Sequence, residues 1–201
     1  ETANTVSDEF AQRQIGRLGV VGSNDITGPL IEESFTRLID ILDTLIMQNG
    51  YVLGARPSSA DFALFGQLTQ LCQVEPTSYK VAQRRPRVRA WVDRLEDLSG
   101  LDIDDQSWLS VDETGTRLAP LLAEIGRCYV PCLLANAAAI QKGEASFETQ
   151  IDGKTWTQDI FPYQAKCLVH IREAYGALDA DSQATVDNWL AGSGCEQLLT
   201  D

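Results

Sequence analysis

Apolar residues recur at three- and four-residue steps along most of this chain, the spacing that lines one face of an α-helix. The clearest run opens at Pro29 and carries Leu30, Ile31, Phe35, Leu38, Ile39, Leu42, Leu45 and Ile46 until Asn49-Gly50 stops it. Ahead of it, Ser7 is placed to cap a helix in which Glu9 and Phe10 lead towards Ile15 and Leu18, and the loop VVGSNDITG follows. Beyond the connector QVEPTSYK, Pro86 opens a helix with Val88, Trp91, Val92 and Leu95 on one face; Ser99-Gly100 ends it and LDIDDQSW is an acidic connector. Thr114 to Gln141 keeps the helical period, and Pro120 and Pro131 are expected to begin or kink helices there. The period changes once. FETQIDGKTWTQ alternates at every second residue about Asp152-Gly153, a hairpin turn signal that places Phe147, Thr149, Ile151 and Trp156 on one face. Pro162 then opens a helix with Tyr163, Cys167, Ile171, Ala174, Tyr175 and Leu178 in register, and a last short helix over Ser182 to Leu190 ends at AGSG.

The stretch GARPSSADFALFGQL, Gly54 to Leu68, looks like chemistry and reads as helix initiation. Ser58 is placed as an N-cap, and Asp61 three residues on can reach back to the Ser58 N–H, a capping box with Asp in place of Glu. Ala60, Phe62, Ala63, Leu64, Phe65, Gly66 and Leu68 then leave no polar face for two turns, which predicts a central helix buried all round. Gly66 is expected to let another backbone approach closely. A Ser nucleophile would need a base, and no histidine lies nearby in sequence.

Composition narrows the function classes. A chain of 201 residues with 44 % apolar content fits one large domain, or one domain with a long extension. Sixteen basic against 29 acidic residues give a net charge of −13, a field that repels phosphate backbones and anionic membranes, so neither nucleic acid nor membrane is an expected partner. The longest apolar-leaning stretches, such as Leu30 to Met47, are broken by charges, so no segment is expected to span a bilayer. The start, ETANTVSDEF, has no signal-peptide pattern and no initiator Met, and the chain is read as a cut fragment. Five cysteines without a secretion signal read as reduced thiols in a cytoplasmic protein. With one histidine, no metal site is expected. Cys128 and Cys132 lie one helical turn apart, a spacing for half a metal site or a redox pair, but their apolar neighbours favour small buried hydrophobes. His170, between Val169 and Ile171, reads as a core or boundary histidine rather than a catalytic one.

Two motifs carry a family resemblance. Gly54, Pro57, Ser58, Ala60 and Asp61 fit a Gly-x-x-Pro-[Ser/Thr]-x-Ala-Asp run, and Arg85, Pro86, Val88 and Trp91 fit an Arg-Pro-x-Val-x-x-Trp run. Together they resemble the C-terminal helical domain of the glutathione transferase superfamily, over roughly the first half of the chain. The resemblance implies an all-α fold: a glutathione-transferase-like helical bundle over residues 1–101, extended over 102–201 by further helices and one small hairpin near 147–158. In that family a thioredoxin-like domain precedes the bundle and carries most of the glutathione site. Nothing before Ser58 alternates strand with helix, so that half is expected to be absent here, together with its catalytic Ser, Tyr or Cys and its glutathione-gripping pair. Catalytic residues therefore stay unassigned, and Ser58 and Asp61 are assigned as a structural helix cap.

The resemblance also implies a role for the first helix, which in the family lines the pocket for the electrophilic substrate. Arg13, Gln14 and Arg17 are the candidates, the two arginines being four apart and spaced to grip an anion; a solvated basic face is the other reading, and the one favoured. Tyr163 and Gln164, opening a helix after the hairpin, are a second candidate pocket edge, with packing of the extension onto the core as the favoured reading. Glutathione is implied as co-substrate of a full-length transferase or reductase, no cofactor is expected in this chain, and this chain alone is expected to be inactive. The implied partners are a thioredoxin-like domain or a second copy. The rival reading is a non-catalytic helical assembly module, and a weaker third is a stand-alone binder of a small hydrophobic ligand.

Overall fold

Eight α-helices and one β-hairpin make up the computed structural model, which describes residues 3–102 and 104–200. The all-α reading with a single small hairpin holds. Helix α1, Ala3–Ile15, begins before Ser7, so that serine lies inside the helix and does not cap it. None of its residues is buried. The loop that follows is partly a 3₁₀ helix over Leu18–Val21. Asn24 then organises the approach to α2: its Oδ1 accepts from the Ile26 and Thr27 N–H groups, while Thr27 Oγ1 accepts from the Asn24 N–H and donates to the Gly22 carbonyl. Helix α2 runs over Gly28–Asn49, one residue ahead of the proline expected to open it.

Contacts gather the chain into two compact units, each drawing residues from both sides of Leu101. One comprises residues 32–126 and 178–196. Its core holds the α2 stripe Ile39, Leu42, Leu45 and Ile46, together with Tyr51 and Val52. Onto this pack Leu68 and Cys72 of α3 (Ser59–Gln73), Ala82 of α4 (Pro76–Ala82), and all four residues expected on the inner face of α5 (Pro86–Leu95). Burying each large apolar side chain contributes about 1.5–3 kcal/mol, so this stripe is where the unit's stability concentrates.

Three expectations in this unit are corrected. Helix α3 is not buried all round: Phe62 is 51 % exposed, Ala63 and Gly66 face solvent, and its buried residues are Asp61, Leu68 and Cys72. Alanine and glycine leave an outer face apolar in sequence without the bulk to attract a neighbour. A Cβ added at Gly66 would meet nothing within 4 Å, so no backbone approaches there. The close approach occurs at Gly54 instead, where a Cβ would lie 2.2 Å from the Ser107 carbonyl oxygen and φ is +142°. Bonds from Ala55 N–H to Ser107 O and from Leu109 N–H to Leu53 O flank that crossing. Finally, part of the supposed connector QVEPTSYK belongs to α4, which Pro76 opens from the first helical position.

Helix α6 is continuous over Val111–Lys142, so Pro120 and Pro131 neither start nor end a helix. Each forfeits one intrahelical hydrogen bond, a loss a helix of 32 residues absorbs. By length and composition α6 is also apolar enough to cross a membrane, with an 18-residue window of mean hydropathy 1.4, contrary to the sequence expectation. That test is one of length and composition only, and 17 % of the window is buried, while α6 carries polar side chains with protein partners. Buried Glu124 pairs with Arg37 at 2.8 Å and accepts from Ser34 Oγ, and fully buried Asn136 holds both the N–H and the carbonyl of Phe161.

The other unit comprises residues 3–31, 127–177 and 197–200 among those described. Strands β1 (Ser146–Ile151) and β2 (Lys154–Asp159) pair antiparallel, with Thr149 opposite Trp156 and Phe147 opposite Gln158. Asp152 and Gly153 both take positive φ at the turn, as the hairpin signal requires. Phe147, Ile151 and Trp156 are buried with Leu30 and Ala139, and Thr149 is half-buried. Gln158 is buried too: its amide accepts from Trp156 Nε1 and donates to the Val20 carbonyl, which ties the 3₁₀ helix to the hairpin. Helix α7 (Pro162–Gly176) buries only Leu168; Tyr163, Ala174 and Leu178 of the expected inner face are exposed. Helix α8 spans Ala180–Leu190, capped by Asp179 accepting from the Ser182 N–H, and a 3₁₀ helix covers Cys195–Leu199.

Candidate functional site

The Ser58–Asp61 pair forms the reciprocal capping arrangement at the start of α3. Asp61 is 0 % exposed. Its Oδ2 accepts from the Ser58 N–H at 2.8 Å and the Ser58 hydroxyl at 2.5 Å, and its Oδ1 accepts from the Val52 N–H at 2.8 Å. With the carboxylate sealed from solvent and the hydroxyl donated to it, the geometry is that of a fastener. A substrate has no access to either group.

The proposed substrate residues fall into two sets that no hydrogen bond or ion pair joins among the described residues. Arg13 and Gln14 lie in the last turn of α1, and all three N-terminal candidates are exposed. Arg17 lies past the end of the helix, in the turn closed by its N–H to the Gln14 carbonyl, so the one-turn helical spacing assumed for the two arginines does not apply. Tyr163 opens α7 at 68 % exposure. Gln164 is half-buried, and its Oε1 is buried with no hydrogen-bond partner.

The cysteines are free thiols. Cys128 and Cys132 are half-buried and pack against the core around Leu30 and Trp156. Burial pushes the Cys132 thiol up to about 12, with the neighbouring Cys128 adding to the shift. Cys72 rises to about 11 through burial, opposed by the positive charge of Arg89. Thiols held neutral in this way are poor nucleophiles and poor metal ligands. Among the described residues no group of His, Cys, Asp and Glu could hold a metal ion. His170 is exposed, not a core or boundary residue as its apolar neighbours suggested, because α7 buries little beyond Leu168.

Two cavities stand out. In the unit of residues 32–126 and 178–196, about 480 Å³ opens between α2 and the start of α5, beside Asp40, Asp43, Thr44 and residues 84–87. Four of its charges pair across it, Arg85 with Asp40 at 2.8 Å and Arg87 with Asp43 at 2.9 Å, which braces α2 against α5. In the other unit, about 450 Å³ opens between α6 and α7 over an apolar lining that includes Ala137, Ile140, Ala165 and Leu168. Sequence periodicity had no signal for either, since each is shaped by two helices far apart in the chain.

A capped helix, a tryptophan-bearing neighbour and a long helix before them define an all-α bundle. Residues 12–94 match the family described as Glutathione S-transferase, C-terminal domain. The match covers less than half of the chain's 201 residues and supports a glutathione transferase-like helical domain over that segment. Domains of this family usually pair with a thioredoxin-like domain and dimerise. Comparison with curated proteins and with solved structures finds no match.

Proposed function

We propose that this chain supplies the electrophile-side wall of a glutathione-dependent transferase or reductase. In this reading a thioredoxin-like domain stabilises the glutathione thiolate, a nucleophile of lowered pKa, and the helical domain shapes the second-substrate pocket. The supporting observation is α1: every one of its residues is exposed, which leaves Arg13 and Gln14, with Arg17 just beyond, available to a substrate or a neighbouring domain. Tyr163 and Gln164 are the second proposed edge. Calorimetric titration of glutathione into this chain is expected to show no micromolar binding; micromolar affinity would overturn the assignment.

One observation favours a non-catalytic assembly role as a second reading. Val6, Phe10, Ile15, Leu18, Val20 and Val21 are all large, apolar and about half exposed, a density that marks interaction surfaces. The two readings separate on activity: joined to a thioredoxin-like domain, the enzyme reading expects Arg13→Ala and Arg17→Ala to raise KM for the electrophile. The assembly reading expects no turnover at all.

A further inference from the structure

We propose that the cleft between α6 and α7 binds a small amphipathic carboxylate, with its apolar body on Ala137, Ile140 and Leu168 and its head group on Lys166 and His170. The cleft lies wholly within one unit and outside the family match, so it does not depend on the glutathione reading.

Three features converge. The volume, about 450 Å³, suits a small molecule, because ligand pockets run from about 300 to 1,000 Å³. The floor is aliphatic, so it rewards a ligand with a hydrocarbon body over an uncharged sugar or a free phosphate, which would have nothing to bury there. The rim carries Lys166 and His170, one helical turn apart on α7, and both are exposed at the mouth. No Asp or Glu lines the cleft, in a chain whose acidic residues outnumber its basic ones by 29 to 16. That local reversal of sign selects an anion over a cation of the same shape. Arg172 also lines the cleft and donates to the carbonyls of Leu198 and Thr200, which anchors its guanidinium at the wall.

A lysine ammonium with an imidazole N–H beside it presents two donors to one head group, the demand of a carboxylate. The apolar floor then decides between carboxylates: acetate gains only the rim, whereas a chain of several methylenes also gains burial at about 0.8 kcal/mol per CH₂.

The test is calorimetric titration of decanoate into the whole chain, with decylammonium as the charge-reversed control and NMR amide shifts as the map. Saturable one-to-one binding of decanoate is expected, at least tenfold tighter than decylammonium, with shifts centred on 137–141 and 162–172. Lys166→Glu and His170→Ala, both at exposed positions that leave the core untouched, are expected to weaken decanoate at least tenfold and about threefold. Absence of saturable binding, equal affinity for decylammonium, unchanged affinity in Lys166→Glu, or shifts centred elsewhere would each overturn the proposal.

Discussion

Asp61 serves three donors at once: the Ser58 N–H, the Ser58 hydroxyl and the Val52 N–H. Replacing it by alanine strands two backbone N–H groups at a site with no access to water, and each unsatisfied buried donor costs about 1–3 kcal/mol. Asp61→Ala is therefore expected to lower unfolding free energy by about 3 kcal/mol in urea titration, and Ser58→Ala by about 1 kcal/mol, the scale of an ordinary cap. An unchanged urea midpoint for Asp61→Ala would show that the network does not hold the fold. Half of this network was legible from the three-residue spacing of Ser58 and Asp61. The Val52 bond was not, since it depends on how the turn before Gly54 lies against the helix start. At the cysteines, burial raises Cys132 to about 12, so it is expected to alkylate far more slowly with iodoacetamide at pH 8 in the folded chain than in urea. Mass spectrometry of the labelled peptide reads this directly; equal rates in the two states would refute the buried-thiol assignment.

At the level of elements, local signals located most helices and mistook some boundaries. Pro86 and Pro162 both opened helices as read, because proline suits the first helical position. The same residue inside α6 did not begin a helix, since two missing N–H groups are small against the packing of a 32-residue helix. Helix α4 went unread because seven residues carry too little periodicity to register. Helix α8 offers a test of capping. Hydrogen bonds from Ser182, backbone first and side chain next, hold the Asp179 carboxyl below its ordinary value of 3.8. A depressed carboxyl stabilises the fold fully above its unfolded pKa and loses that contribution as pH falls through the folded one. Asp179→Ala is thus expected to lower the thermal midpoint at pH 7, and the gap from the parent should narrow as pH falls below the ordinary carboxyl value. A gap that persists unchanged at pH 2 would mean the carboxylate charge is not what caps the helix.

For the molecule as a whole, the exposed face of α1 is the feature with most consequence. If Phe10 and Ile15 serve an interface, Phe10→Asp and Ile15→Asp should leave the melting temperature within about 2 °C, since neither residue packs in the core. Light scattering at high concentration is expected to show self-association of the parent chain and its loss in the double variant; a parent that stays monomeric would count against a role in self-association. The sequence alone determined the fold class, the helix faces of α2 and α5, the hairpin turn and the Ser58–Asp61 cap. All of these are written within a few residues of one another, where spacing dictates geometry. Tertiary structure alone decided that α3 is half-exposed, that Gly54 and not Gly66 marks a close crossing, that His170 faces solvent, and that Lys166 and Ala137 line one cleft. Each of those depends on which distant segment arrives at a surface, and side-chain periodicity names the face of a helix without naming what will cover it.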